Sequence, residues 1–87
     1  MLTRTSTDGR EYEVLDKPRY WRILKNGKVV KHFSVITYEL ENKLDFEWDM
    51  FEEGYNEIME IDGKTVEIHE FNYSGYVIQM YREIKLL

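Results

Sequence analysis

Short runs of alternating apolar and polar residues, punctuated by Asx-Gly pairs, organise this chain of 87 residues. Alternation of that kind places successive side chains on opposite faces of a strand. Asp8-Gly9, Asn26-Gly27 and Asp62-Gly63 each supply the pair that tolerates positive φ at both central positions of a type I′ turn. The chain therefore reads as hairpin-rich.

The first predicted hairpin joins Leu2–Thr7 to Arg10–Asp16, and a two-residue loop would set Arg4 opposite Glu13. Lys17-Pro18 ends it, because proline cannot donate to a central ladder. The second joins Arg19–Lys25 to Lys28–Ile36 around Asn26-Gly27. Its register pairs Leu24 with Val29, Ile23 with Val30 and Arg22 with Lys31, with Trp21, Ile23 and Val30 sharing a face. Two cations directly opposite need an anion nearby. Tyr55–Ile61 and Lys64–Phe71 flank Asp62-Gly63, with a two-residue loop (Met59 opposite Val66) and a three-residue loop (Ile58 opposite Ile68) both open. Asn72 to Gly75 reads as a turn, and Tyr76–Leu87 as a long core strand with Tyr76, Ile78, Met80, Ile84 and Leu86 on one face.

Between these hairpins the period changes. Leu40, Leu44, Trp48 and Phe51 fall within about 80° of one another on a helical wheel, with Glu41, Asp45, Asp49, Glu52 and Glu53 opposite. The pattern predicts an acidic amphipathic helix over residues 38–53, with Thr37 as N-cap and Gly54 just past the C-terminus. Leu44–Met50 also alternates, so a strand there is the alternative. Acidic residues in the last turn oppose the helix dipole. The expected fold is α+β, an antiparallel sheet of about six or seven strands with one helix, in a single domain spanning residues 1–87. An all-β barrel or sandwich is the alternative. Ile23, Val30, Trp48, Phe51, Val66, Ile78, Met80 and Ile84 are the expected core.

Charge is unevenly distributed along the chain. Residues 39–70 hold twelve of the 17 acidic residues and two lysines, a formal −10, whereas the first 33 residues hold eight basic and four acidic residues, a formal +4. Such asymmetry speaks to partners rather than to fold. Cysteine is absent, which removes disulfides and thiolate metal sites. A small domain without such staples relies on packing, with homo-oligomerisation as a further source of stability. There is no leader-like apolar run and no stretch long enough to span a membrane, so a cytoplasmic location is expected. Alanine is absent and Ile, Lys, Glu and Tyr are plentiful, a usage that suits an AT-rich source such as a low-GC bacterium or its phage.

No catalytic or cofactor motif is present, and a non-enzymatic protein without cofactor or metal is expected. Asp45, Glu47 and Asp49 are spaced like the start of a calcium loop, but Met50 falls at the glycine position and Asn56 at the bidentate glutamate position. His32 and His69 have no ligand-like spacing and read as ordinary half-exposed histidines. Two surfaces remain. The acidic one, Glu41, Asp45, Asp49, Glu52 and Glu53 extended by Glu57 and Glu60, would dock a basic surface on a protein partner, as an inhibitor or nucleic-acid mimic of phage or mobile-element type. The other is the basic aromatic hairpin. Arg19, Arg22, Lys25, Lys28 and Lys31 would meet phosphates, and Tyr20 or Trp21 would stack on bases. The net charge of −5 counts against this second surface, because nucleic-acid affinity comes chiefly from phosphate neutralisation.

Overall fold

The protein is described by a computed structural model covering residues 1–30, 38–54 and 56–87. Its fold is α+β: one helix and a seven-stranded antiparallel sheet that does not close into a barrel. The strands are β1 (Thr3–Thr5), β2 (Glu11–Val14), β3 (Tyr20–Lys25), β4 (Lys28–Val29), β5 (Glu57–Ile61), β6 (Lys64–Tyr73) and β7 (Tyr76–Leu86), with the helix α1 (Tyr38–Glu52) between β4 and β5.

The long alternating strand β7 is the spine. One edge pairs with β6 from Tyr73↔Tyr76 to Val66↔Glu83. The other edge is shared: its first half pairs with β3 (Leu24↔Val77 to Tyr20↔Tyr81), its second with β2 (Val14↔Ile84 to Tyr12↔Leu86). β1, β4 and β5 lie outside β2, β3 and β6 respectively. Three hairpins turn on residue pairs at positive φ: Asn26-Gly27, Asp62-Gly63 and Ser74-Gly75. The two-residue loop at Asp62-Gly63 sets Met59 opposite Val66. β6 runs on to Tyr73, so the last turn is tighter than the expected stretch from Asn72.

The first hairpin departs from expectation. Its register is Arg4↔Tyr12 and Thr3↔Glu13, one residue away from the Arg4–Glu13 pairing. Only Gly9 of the Asp8-Gly9 pair takes positive φ (88°), Gly9 N donates to Ser6 O (3.0 Å), and Ser6 N donates to Arg10 O (2.8 Å). That is a three-residue loop, a type I turn followed by a left-handed glycine. Asp8 favours it locally: its carboxylate accepts from the Ser6 hydroxyl and from the Arg10 backbone N–H (3.3 Å). A one-residue slip moves a side chain to the other face of the sheet. Arg4 is thereby turned from the Glu13 side to the helix side.

Helix α1 covers one sheet face. Leu40, Leu44 and Phe51 are buried against Ile23, Ile78 and Met80, with Trp21, Val30, Trp48 and Phe71 packed around them. A smaller cluster of Ile61, Val66 and Ile68, with Tyr81 against it, lies on the opposite face. Of the eight expected core residues, Ile23, Phe51, Val66, Ile78, Met80 and Ile84 are buried, while Val30 and Trp48 are half-buried at the core's margin. The Thr37 cap, the Arg22–Lys31 pairing, His32 and the outer part of the second hairpin lie outside the described residues.

Candidate functional site

Apart from Glu39 in the first turn, the carboxylates of α1 and its end divide into two sets with different uses. Glu47 and Glu52 face the sheet. His69 Nε2 meets Glu47 Oε2 at 2.5 Å, and Lys43 lies 3.0 Å from the other oxygen, an i,i+4 pair. Burial works to raise the Glu47 carboxyl, but the His69 and Lys43 bonds outweigh it and hold it below the usual range. Glu52 is gripped by Arg4 (2.7 Å), Arg82 (3.3 Å) and Arg19 (3.5 Å). Arg4 and Arg82 likewise outweigh burial and keep its carboxyl low.

Beneath Glu52 lies a buried polar cluster. Glu67 is fully buried and accepts from Arg4 (2.7 Å) and from Asn56 Nδ2 (2.8 Å) on one oxygen. Its other oxygen lies 3.7 Å from Arg82. Burial nevertheless outweighs Arg4, Asn56 and Arg82 and pushes the Glu67 carboxyl upward. Burial, then the Glu67 charge, also raises the neighbouring Tyr12 phenol. Asn56 Nδ2 (2.9 Å) and Arg4 (3.4 Å) further donate to the Phe51 carbonyl in the last turn of the helix. Arg4 of β1 and Asn56, just before β5, thus supply the cationic and amide cap that the acidic last turn of α1 lacks.

The second set faces away. Glu41, Asp45, Asp49 and Glu53 are exposed and make no ion pair or side-chain hydrogen bond among the described residues. Of the seven carboxylates singled out from sequence, these four form one continuous surface. Glu52 is taken up internally. Glu57 and Glu60 are exposed on the edge strand β5 but alternate faces, and Glu60 accepts from Thr65 (2.8 Å).

The basic hairpin is split in the same way. Arg19 stacks 4.6 Å over Trp48 while pairing with Glu52. Arg22 lies on the opposite face, donating to Gln79 Oε1 (2.7 Å) and covering Tyr81 (5.7 Å). Gln79 in turn donates to Glu70 (2.5 Å), so a neutral relay brings the anion that Arg22 requires. Trp21 packs on the core, Tyr20 is exposed beside Tyr81, and Lys25 lies over Tyr76 (5.3 Å). Lys25 and Lys28 at the tip stay exposed, and Lys31 lies outside the described residues. No group of three or more metal-binding side chains occurs among the described residues, and none of their helices is long and apolar enough to cross a membrane.

In comparisons with known proteins, no family, no curated sequence and no solved structure matches this chain.

Sequence reasoning missed the Glu47–His69 bond and the Arg4–Glu67–Arg82 cluster. For the second a signal was present. Arg82 interrupts the apolar face Ile78, Met80, Ile84, and Glu67 is its cross-strand neighbour. The His69 bond had no local signal, because it depends on where α1 crosses β6.

Proposed function

We propose that this chain is a cytoplasmic, non-enzymatic protein-binding module whose acidic helix docks a basic surface on a protein partner, acting as an inhibitor that occupies a nucleic-acid-binding face. The observation that carries the reading is the exposed row Glu41, Asp45, Asp49 and Glu53, none of it neutralised within the described residues. The fold uses its arginines to quench Glu52 and Glu67 and leaves this row open. Such a row steers a cationic partner and makes association salt-sensitive.

The test is affinity capture from a low-GC bacterial lysate at about 50 mM and about 500 mM salt, roughly one side and the other of physiological screening. The expected result is a partner retained at low salt, released at high salt, and lost on Asp45→Lys with Asp49→Lys. A partner indifferent to salt and to both reversals overturns the acidic-row mechanism.

A further inference from the structure

The acidic row has a companion. Four-residue steps along a helix rise about 6 Å and drift about 40°, so residues so spaced form a gently winding ridge. Glu41, Asp45, Asp49 and Glu53 are one such ridge of α1 and its end, and Tyr38, Asn42, Phe46 and Met50 are the neighbouring one. All eight residues are exposed. On the second ridge Tyr38, Phe46 and Met50 are 79%, 58% and 42% accessible. A single exposed apolar residue needs no explanation, but aromatic and methionine side chains aligned on one ridge form a patch. These are also residue types enriched in interface cores. The far flank of the apolar ridge is bounded by Lys43, which lies 5.8 Å over the Phe46 ring and is drawn toward the sheet by Glu47 (3.0 Å). The patch is therefore asymmetric, with four open carboxylates on one flank and a neutralised ion pair on the other.

Imitating phosphates would require only the carboxylates. Exposing Phe46 and Met50 beside them brings no gain against a purely charged surface, but it suits a partner that is apolar at its centre and cationic at one edge. We propose that α1 docks helix-in-groove, seating Phe46 and Met50 in an apolar groove of a protein partner while the Glu41–Glu53 ridge meets lysines and arginines along one rim. This rests on the reading above and narrows it from a basic surface in general to a groove of stated chemistry.

Two probes of matched charge separate the ideas in titrations of the full chain followed by calorimetry and NMR. One is a synthetic leucine–lysine peptide that forms a cationic amphipathic helix; the other is polylysine. The expected result at about 150 mM salt, where the screening length is about 8 Å, is at least tenfold tighter binding of the leucine–lysine peptide, with shifts at Phe46, Met50, Asp45 and Asp49. Phe46→Ala with Met50→Ala should remove that advantage and leave polylysine binding unchanged; both sites are exposed, and an unchanged unfolding midpoint verifies the fold. Equal affinity for the two probes, or a leucine–lysine affinity untouched by the double variant, overturns the groove while leaving electrostatic docking standing. Failure of both probes to bind at low salt overturns the underlying reading as well. A concentration-dependent dimer that Phe46→Ala dissolves would assign the ridge to self-association and overturn the proposal.

Discussion

A charged residue on an apolar strand face is the most informative kind of position in this chain. Arg82 breaks the series Ile78, Met80, Ile84, and its neighbour Glu67 carries a carboxylate into the interior. Both were readable as anomalies, but their meaning depended on Arg4, 63 residues from Glu67 in sequence, and on a one-residue slip in the first hairpin. Removing one partner of a buried ion pair outright costs roughly 3–5 kcal/mol, but here Arg4 and Arg82 both keep Glu52 (2.7 and 3.3 Å), so the cost should fall below that range. Glu67→Gln should therefore be destabilising, with a particular pH dependence. Because burial outweighs Arg4, Asn56 and Arg82, the Glu67 carboxyl lies above the unfolded range. Its contribution to stability is then fullest below the unfolded value of about 4.3 and falls as pH rises through the folded value. Urea unfolding across about pH 4 to 8 should show the gap between wild type and Glu67→Gln narrowing as pH rises. A gap that widens with pH would mean that the arginines, rather than burial, govern the titration.

For the secondary elements, local pattern served well where periodicity and turn chemistry agreed. The β3–β4, β5–β6 and β6–β7 turns each place two residues at positive φ, and the Leu40–Phe51 stripe forms the buried side of α1. It served poorly for the first hairpin, because Asp8-Gly9 suits two loop lengths and the choice lies in the Ser6 and Asp8 side-chain bonds. The acidic end of α1 argued against a helix on local electrostatics alone. Its resolution is tertiary: Arg4 and Asn56 reach the Phe51 carbonyl, and Gly54 leaves the helix at φ 101°. Asn56 is the residue that joins the two systems, since its Nδ2 serves both Phe51 O and Glu67 Oε1 while 2% exposed. Asn56→Ala removes one donor from each of two acceptors that keep Arg4 and, at Phe51, the Gly54 N–H, a net loss of roughly 0.5–1.5 kcal/mol per bond. A loss within or above that range in the denaturant midpoint is expected. A change below about 0.5 kcal/mol, the scale of an ordinary surface substitution, would show that Arg4 and Gly54 suffice as the cap.

Across the whole molecule, the opposed charges of the two halves of the sequence meet in the fold. Among the described residues the basic front is divided between the two faces of the sheet. Arg4 and Arg19 turn to Glu52 and Glu67 on the helix side, whereas Arg22 faces the other side toward Gln79. Among the surfaces weighed from sequence, the carboxylate ridge of α1 and the tip lysines Lys25 and Lys28 stay exposed. The two surfaces weighed from sequence are thus unequal after folding. The acidic row keeps four open members in register, and the basic hairpin loses two of its arginines to internal bonds. Sequence could give the asymmetry but not this outcome, because strand alternation decides which cations share a face and the packing of α1 decides which carboxylates reach them. Affinity for nucleic acid rises with the number of phosphates neutralised, so the two tip lysines left open among the described residues of the hairpin should hold a strand weakly. Gel shifts with single- and double-stranded DNA and RNA, at about 50 mM salt and tens of micromolar protein, are therefore expected to show no complex. Those conditions would capture an ordinary non-specific binder, for which dissociation constants are roughly 10⁻⁴–10⁻⁶ M at physiological salt. A complex that forms, weakens steeply with salt and is abolished by Arg22→Glu but not by Asp45→Lys would overturn the docking reading in favour of the hairpin.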